Sequence, residues 1–549
     1  MRYFLTLWLA VNATPSVHPA TFADATAASG IRFLHDAAKT PDKYLIEAMG
    51  GGVALFDADG DGKLDIFFVN GAQLKSGMKA ESRAVKSDPK FWNRLYRNQG
   101  DGTFADITDK AGLRGEGYGQ GVAVGDCDND GHPDLYVSAL GGNALYQNQG
   151  GASFENVTAK AGVAGGGWSS SAGFFDYDRD GNLDLFVVRY LDWDFGRNKP
   201  CGGDVRSYCH PNEFGAVTHL LYRNLGGCKF EDVTVKAGIA KAPGKGLGLA
   251  FQDVDGDGWP DVLVANDSFP QQLFRNKHDG TFEEIALPAG LAYDEDGKVF
   301  AGMGVDLADY DNDGHPDAFV NALANQGYGL FRNNKGLFEY VSSSSGIATI
   351  SKLHSGWGAR FLDFDNDGWK DLFVAQGHVM DNIEVTQPDL RYRETPLLLR
   401  NVNGKFSDVS LISGVPFQTA MAGRGAGFGD LNNDGAVDIV VSDNEGKPRV
   451  FRNTGANNGW LMVDTIGVKS NRDGIGASIR IVTSSGKEQF GYVSTAGSYL
   501  SAHDKRVHFG LGAEREVKLL EVRWPSGTVQ SWKNIPANQI FVAKEAAAQ

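Results

Sequence analysis

Short apolar runs separated by turn residues recur along most of this 549-residue chain, and they fall into a repeating set of four. The first run is led by glycine, as in GGVALFD, GVAVGD, SAGFFD, GLAFQD, GVDLAD, GARFLD and GAGFGD. An acidic segment follows, and then a second run: DIFFVN, DLYVSA, DLFVVR, DVLVAN, DAFVNA, DLFVAQ and DIVVSD. A third run ends in Arg or Gln before Asn, starting at Leu95, Leu145, Leu221, Leu273, Leu330, Leu398 and Val450. A Gly-rich turn then leads to a fourth run centred on Phe104, Phe154, Phe230, Phe282, Phe338 and Phe406. Apolar runs this short, bounded by turn signals, predict strands, and no long amphipathic helical period interrupts them. Four strands per unit, joined by turns, is the pattern of a propeller blade.

The fourth runs decide the topology. Six follow a third run, and the seventh unit stops at Asn453 without one. The missing copy stands upstream at Phe22, in TFADATAASG. A ring in which this N-terminal strand completes the last blade explains both irregularities, whereas an open array would leave an unpaired strand at one end and an unfinished unit at the other. The expectation is an all-β, seven-bladed propeller over residues 21–455. From about Trp460 to Lys544 the alternation in ASIRIV, KLLEVRW and QIFVAK, with turns at SSGK and PSGT, predicts a small C-terminal β-sandwich-like domain over residues 456–549.

The acidic segment between first and second strands has the form DxDxDGxxD. Its carboxylates are Asp57, Asp59, Asp61 and Asp65 in the first copy and Asp126, Asp128, Asp130 and Asp134 in the second. The third has Asp176, Asp178, Asp180 and Asp184, and the fourth Asp253, Asp255, Asp257 and Asp261. The fifth has Asp309, Asp311, Asp313 and Asp317, and the sixth Asp363, Asp365, Asp367 and Asp371. The seventh departs from the form, with Asn432 among Asp430, Asp434 and Asp438. Oxygens at positions 1, 3, 5 and 9, a glycine at 6 that allows φ > 0, and the carbonyl of position 7 can wrap a hard cation. Calcium, which tolerates six to eight oxygens at irregular angles, suits such a loop better than magnesium. Up to seven calcium ions are therefore expected.

This reading also accounts for the charge. The loops supply 27 of the 68 acidic residues, and seven divalent cations would offset fourteen of the sixteen net negative charges. An acidic chain without clustered Lys and Arg argues against nucleic acid as a partner. Residues 1–20 place Arg2 ahead of an apolar stretch from Tyr3 to Val11, followed by small residues, the arrangement of a signal peptide. No segment has the length of a transmembrane helix. Secreted, periplasmic or cell-surface placement follows, and weak modular calcium sites fill only outside the cytosol. In that setting Cys201 and Cys209 are expected to form a local disulfide. Cys127 and Cys228 either form a second bridge or stay as thiols.

The combination GxxxxFxDxDxDGxxD with LYRNxGxGxFxDVT resembles the FG-GAP/VCBS repeats, related to those of integrin α chains. GIGASIRI, STAGSYLSAHDKRVHFGLG and VRWPSGTVQSW, between Gly474 and Trp532, resemble the ASPIC/UnbV domain. Together they resemble the bacterial relatives of the cartilage acidic protein family, from about residue 21 to 545. The resemblance implies an exported calcium-binding propeller with a C-terminal β domain and implies no reaction.

In a propeller the acidic hairpins share one face, and the loops from second to third strands lie on the other. The long insertions Gln73 to Asn93, Tyr190 to Thr218 and Gly377 to Thr395 all fall on that other face, where variable loops on a rigid scaffold commonly build binding sites. Candidate ligand-binding residues at second-strand ends are Asn70, Arg189, Asn266, Asp267, Asn321, His378 and Asp443. Each also has a plainer role as a turn cap. His132 and His315 hold position 7, where a backbone carbonyl suffices. Walker, HExxH and GxSxG motifs are absent from the sequence, and GEGYGQG and GKGLGLA are lead-ins to first strands. The expected function is a binding or adhesion module for an extracellular or periplasmic glycan, matrix component or protein. The alternatives are a calcium-dependent polysaccharide lyase or dehydratase using His378 with Tyr190, Arg189 or Asp267, and a structural accessory of a secreted complex.

Overall fold

The computed structural model describes residues 22–455 and 458–547; the expected signal peptide at 1–20 lies outside them. Residues Phe22 to Asn453 form seven four-stranded antiparallel sheets, one for each acidic loop. Blade 1 comprises Val53–Phe56, Asp65–Phe68, Arg94–Asn98 and Phe104–Asp106. Blade 7 takes Gly423–Gly429, Asp438–Asp443 and Arg449–Asn453 and is completed by Phe22–Asp24. Phe22 stands opposite Asn453 and Asp24 opposite Phe451, so the ring closes as the count of fourth strands requires. The Phe22 side chain is buried against Phe364 and Phe417. Helices among the described residues are single turns, the longest being Ile347–Ser351.

The asparagine that ends each third strand holds the blades together. Its backbone N–H donates to the position-9 carboxylate of its own blade at 2.7–2.8 Å, as Asn98 does to Asp65 and Asn453 to Asp438. Its side-chain amide donates to the carbonyl at position 2 of the preceding blade's loop: Asn148 to Ala58, Asn224 to Cys127, Asn276 to Tyr177, Asn333 to Val254, Asn401 to Tyr310 and Asn453 to Phe364. Asn98 completes the circle by donating to Leu431 of blade 7 at 2.8 Å. A disulfide between Cys127 and Cys228 reinforces the blade 2–3 junction, and Cys201–Cys209 closes a loop within the blade 3 insertion.

The C-terminal domain is a two-sheet sandwich. One sheet has Gly459–Ile466 between Val507–Gly512 and Gln539–Lys544, the last pairing being parallel. The other runs in the order Glu488–Tyr492, Ser478–Thr483, Glu516–Arg523, Val529–Pro536. Its apolar core, with Leu461, Ile481, Phe509 and Trp524, is continuous with Tyr136, Phe174 and Leu185 of blades 2 and 3.

A loop of this domain, residues 494–504, fills the central channel. The innermost strand of each blade presents a free edge there, and unpaired N–H and C=O groups at a buried edge are costly. Ala502 exchanges hydrogen bonds with Val53 and Leu55 of blade 1, and Leu500 O accepts from Val122 of blade 2 at 3.0 Å. Leu500 N donates to Ser171 of blade 3, and Ala496 packs with Leu249 and Phe251 of blade 4. Ser498 pairs through its backbone with Val305 of blade 5, accepts from Ala359 N of blade 6 and donates to Ala426 O of blade 7. The loop thus touches all seven blades. Glycine in the channel wall makes room for it: a Cβ on Gly52 would fall 1.8 Å from Leu500 O.

Because the sandwich and the propeller share a core and a channel, heating is expected to give one calorimetric transition; earlier, separate melting of the C-terminal sheets would contradict this. Phe22→Ala should cost about 3–5 kcal/mol, read as a lower urea midpoint, since it hollows the closure of the ring.

Candidate functional site

Each acidic hairpin is shaped by its own backbone hydrogen bonds. The position-1 carboxylate turns inward to accept from the loop: Asp57 takes Gly60, Asp61 and Gly62 N–H groups at 2.8–3.1 Å, and Asp363 takes Asp367 and Gly368 at 3.0 and 2.8 Å. Position 5 caps position 7, as Asp130 does His132 N (2.8 Å) and Asp313 does His315 N (3.0 Å), so both histidines enter the loops through their backbones. The position-6 glycines all have φ between +81° and +93°, a region open to glycine without a Cβ penalty.

The turns bring carboxylate oxygens together. Oxygens of Asp57, Asp59 and Asp61 lie within 4.8 Å of one another, as do those of Asp126, Asp128 and Asp134, of Asp176, Asp178 and Asp184, and of Asp253, Asp255 and Asp261. Asp59 Oδ1, Asp178 Oδ1 and Asp365 Oδ1, all at position 3, are buried with no hydrogen-bond partner. Buried acceptors left without donors are costly, and a cation among hard oxygens is the partner that such a set fits.

Burial dominates the electrostatics. It lifts the position-9 carboxyls of Asp65, Asp134 and Asp317 to about 7, 8 and 9, against the pull of two backbone N–H groups on each. The same desolvation lifts the position-1 groups Asp176 and Asp309 to about 7. Part of the repulsion is relieved by a residue whose role was not legible in the sequence, the Arg or Gln before the third-strand asparagine. Arg97 pairs with Asp59 at 2.6 Å, Arg223 with Asp178 and Asp180 at 2.6 and 3.1 Å, Arg332 with Asp311 and Asp313 at 3.0 and 3.2 Å, and Arg400 with Asp365 and Asp367 at 3.0 and 2.9 Å. Gln147 donates to Asp128 at 2.5 Å. In blade 4 Arg275 turns outward to Glu283, and His278 reaches Asp257 instead at 2.6 Å.

The C-terminal domain covers much of this face. Asp126 N–H donates to Asp473, Arg179 to Pro525 O, Lys370 to His508 O and Arg506 to Asn433. The opposite face stays open. There the 3-10 turn Leu45–Ala48, the disulfide-closed insertion of blade 3, residues 323–326 of blade 5 and residues 378–390 of blade 6 surround a cavity of about 600 Å³. Met49, Met303 and Trp357 line its inner end; the channel loop backs it through Tyr499, which donates to Met49 O and meets Trp357 edge-on.

Two of the seven expected ligand residues line this cavity, Asp267 and His378, together with Tyr190. Tyr190 donates to Asp267 Oδ2 at 2.5 Å, and Ser268 donates to Oδ1 at 3.0 Å. His378 Nδ1 accepts from Met380 N (3.0 Å); burial and the nearby Arg424 charge lower its pKa to about 4, so the ring is neutral at neutral pH. The other five lie elsewhere. Asn70 accepts from Asp36 N and donates to Lys90 O, Asn266 accepts from Lys245 N and donates to Pro270 O, and Asn321 accepts from Gly304 N and donates to Trp357 O. Asp443 is ion-paired with Arg393 (2.9 Å) and accepts from Ala422 N. Arg189 flanks a separate shallow groove with Tyr222 and Asp232, so it does not join His378. Trp357, Tyr208 and Arg424 were not singled out in the sequence. Arg424 is fully buried, lies 4.0 Å from the Trp357 ring and donates to the carbonyls of Ala48, Gly423 and His378, holding the cavity wall in place.

Residues 467–549 match the ASPIC and UnbV family model, and residues 57–137, 126–187, 253–320 and 309–374 match the FG-GAP-like repeat. The chain carries FG-GAP-like repeats followed by an ASPIC/UnbV domain and is homologous to cartilage acidic protein 1. The human protein of that name is 28% identical over 329 residues, covering 56% of this chain and 45% of that protein. The mouse protein is 29% identical over 317 residues, covering 55% and 45%. The match thus spans less than half the length of these relatives. Among solved structures, an Agrocybe aegerita lectin that recognises non-reducing terminal N-acetylglucosamine is 17% identical with a TM-score of 0.41, over 66% of this chain and 85% of that one. No helix among the described residues is long and apolar enough to cross a membrane.

The raised carboxyl pKa values give the cation-free protein a definite pH dependence. Between the unfolded value near 4 and folded values of about 7 to 9, the native state holds more protons than the unfolded chain, so stability falls as pH rises. Buried neutral histidines such as His35 and His219 act oppositely, but only below their unfolded pKa near 6.5. In chelator, the melting temperature should therefore drop between pH 6.5 and 8.5; a flat or rising profile there would rule the account out.

Proposed function

We propose that the protein is an exported, calcium-stabilised propeller that binds a glycan, matrix component or protein partner in the cavity opposite its acidic loops. The cavity carries the reading: it is wide, mixed in polarity and framed by two of the three long insertions, those of blades 3 and 6, while the channel and much of the loop face are taken up by the C-terminal domain. Calcium would be held by the position 1, 3, 5 and 9 carboxylates of each loop, with Asn432 in place of one carboxylate in the seventh, and would supply the positive charge that their burial calls for. Support for the cation comes from the unpartnered position-3 oxygens, and support for export from the two disulfides, which persist in oxidising compartments.

A second reading is an enzyme, such as a polysaccharide lyase or dehydratase. The observation in its favour is the Tyr190–Asp267 hydrogen bond sharing the cavity with a neutral His378, groups able to move a proton. Turnover on acidic or neutral polysaccharides that disappears in His378→Ala would establish it; undiminished turnover would remove His378 from any mechanism.

Chelator should lower the melting temperature, with calcium restoring it more fully than magnesium; an unchanged melt would mean that the loops do not hold structural cations. The immobilised protein should retain partners from surface or periplasmic extracts with calcium and lose them with chelator. Thr386→Trp, at an exposed position on the cavity wall, should abolish retention without changing the melt. Full retention by that variant would place the binding site elsewhere.

A further inference from the structure

Within this cavity reading, on which the following rests, one carboxylate lacks an ion-pair contact. Two acidic side chains line the cavity, Glu213 and Asp267. Glu213 is paired with Lys199 at 3.1 Å. Of the nearby acids of the same face, Asp381 is paired with Lys39 and Lys43 and Asp443 with Arg393, while Glu47, fully buried behind the wall, is held by Thr40 and Tyr208. Asp267 is 9% exposed and meets only the hydroxyls of Tyr190 and Ser268 through its side chain. The adjacent Lys245, whose carbonyl accepts from Asp267 N, directs its ammonium to Pro211 O (2.9 Å) and Asn212 Oδ1 (3.2 Å) instead. His210, also on the wall, uses Nδ1 to accept from Asn212 N.

We propose that Asp267 receives the basic head of a lysine or arginine side chain from a protein partner. A carboxylate held by two hydroxyl donors keeps lone pairs free, and a buried carboxylate is stabilised most by an ion pair with further hydrogen bonds. The rest of the cavity fits the stem of such a side chain. Leu45, Met49, Met303 and Leu323 offer apolar contact for its methylenes, and Tyr190 and Tyr208 add aromatic rings. An amino sugar would present the same ammonium, but its ring lacks the methylene stem that Leu45, Met49, Met303 and Leu323 match, so the peptide source fits this set better.

The test uses the full calcium-loaded chain and three probes: a lysine-containing tripeptide amide, the same tripeptide acetylated on Nε, and glucosamine. Calorimetry should show the free-amine tripeptide binding about tenfold or more tightly than its acetylated twin, and Asp267→Asn should remove that difference. Equal binding of the two tripeptides, binding of neither, or a preference for glucosamine would overturn the proposal. The comparison of twins on the unaltered protein decides the question even if the variant fails to fold. Extract retention separates the two levels: if Asp267→Asn retains partners and Thr386→Trp does not, the amine assignment falls and the cavity stands; if both retain them, the cavity reading falls.

Discussion

Between each pair of adjacent blades one asparagine amide reaches back to a carbonyl in the preceding acidic loop, while the same residue's N–H is held by an aspartate of its own loop. Sheet-on-sheet packing of apolar side chains is strong but has little direction, so it does not by itself fix how far one blade is turned against the next. A hydrogen bond buried at the seam does. Its donor can be placed only if the position-9 carboxylate stays buried at the base of the hairpin, and seven repeats around a closed ring allow no cumulative error. The acidic loops are therefore needed for closure before any cation is considered, and the burial that closure demands is what makes their charge expensive.

That expense is met in layers. Arginines of the third strands neutralise carboxylates at positions 3 and 5 from outside, and backbone N–H groups hold positions 1 and 9, yet position-3 oxygens remain without donors. The C-terminal domain then settles over the loops and sends residues 494–504 down the channel, where they satisfy inner-strand edges. A propeller commonly offers its central opening to ligands; here the protein occupies it with its own chain. The far mouth stays open, its floor backed by Tyr499 at the tip of that loop.

The strands, their grouping in fours and the closure through Phe22 were legible because each depends on local alternation and turn residues. The contents of the channel were not. STAGSYLSAHD reads as a small-residue turn, and nothing within it signals seven partners up to 450 positions away in the chain. The face opposite the loops was legible as a place but not residue by residue. Asn70, Asn266 and Asn321 end second strands at the points where neighbouring backbone needs an acceptor, so they were consumed as staples. Asp267 and Asp443 hold comparable places; only the insertion that carries Arg393 distinguishes the paired acid from the unpaired one. The Cys127–Cys228 bridge spans 101 residues and follows from the juxtaposition of blades 2 and 3, which spacing alone does not reveal.

The seventh loop shows how closely charge and structure are matched. Where the other six have an aspartate at position 3, it has Asn432, whose amide donates to Asp434 at 2.7 Å. With no carboxylate there to neutralise, the third-strand arginine of the blade, Arg452, pairs with the position-9 Asp438 instead, at 3.2 Å. Arg506 from the C-terminal domain reaches Asp430 O and the Asn433 side chain of the same loop, and Trp460 packs against Gly435 so closely that a Cβ there would fall 2.0 Å from its ring. This hairpin thus carries one charge fewer, has its arginine redirected to position 9 and gains a second arginine from the covering domain. It is also the hairpin of the blade that closes the ring, where Asn453 and Phe22 join the last strand to the first.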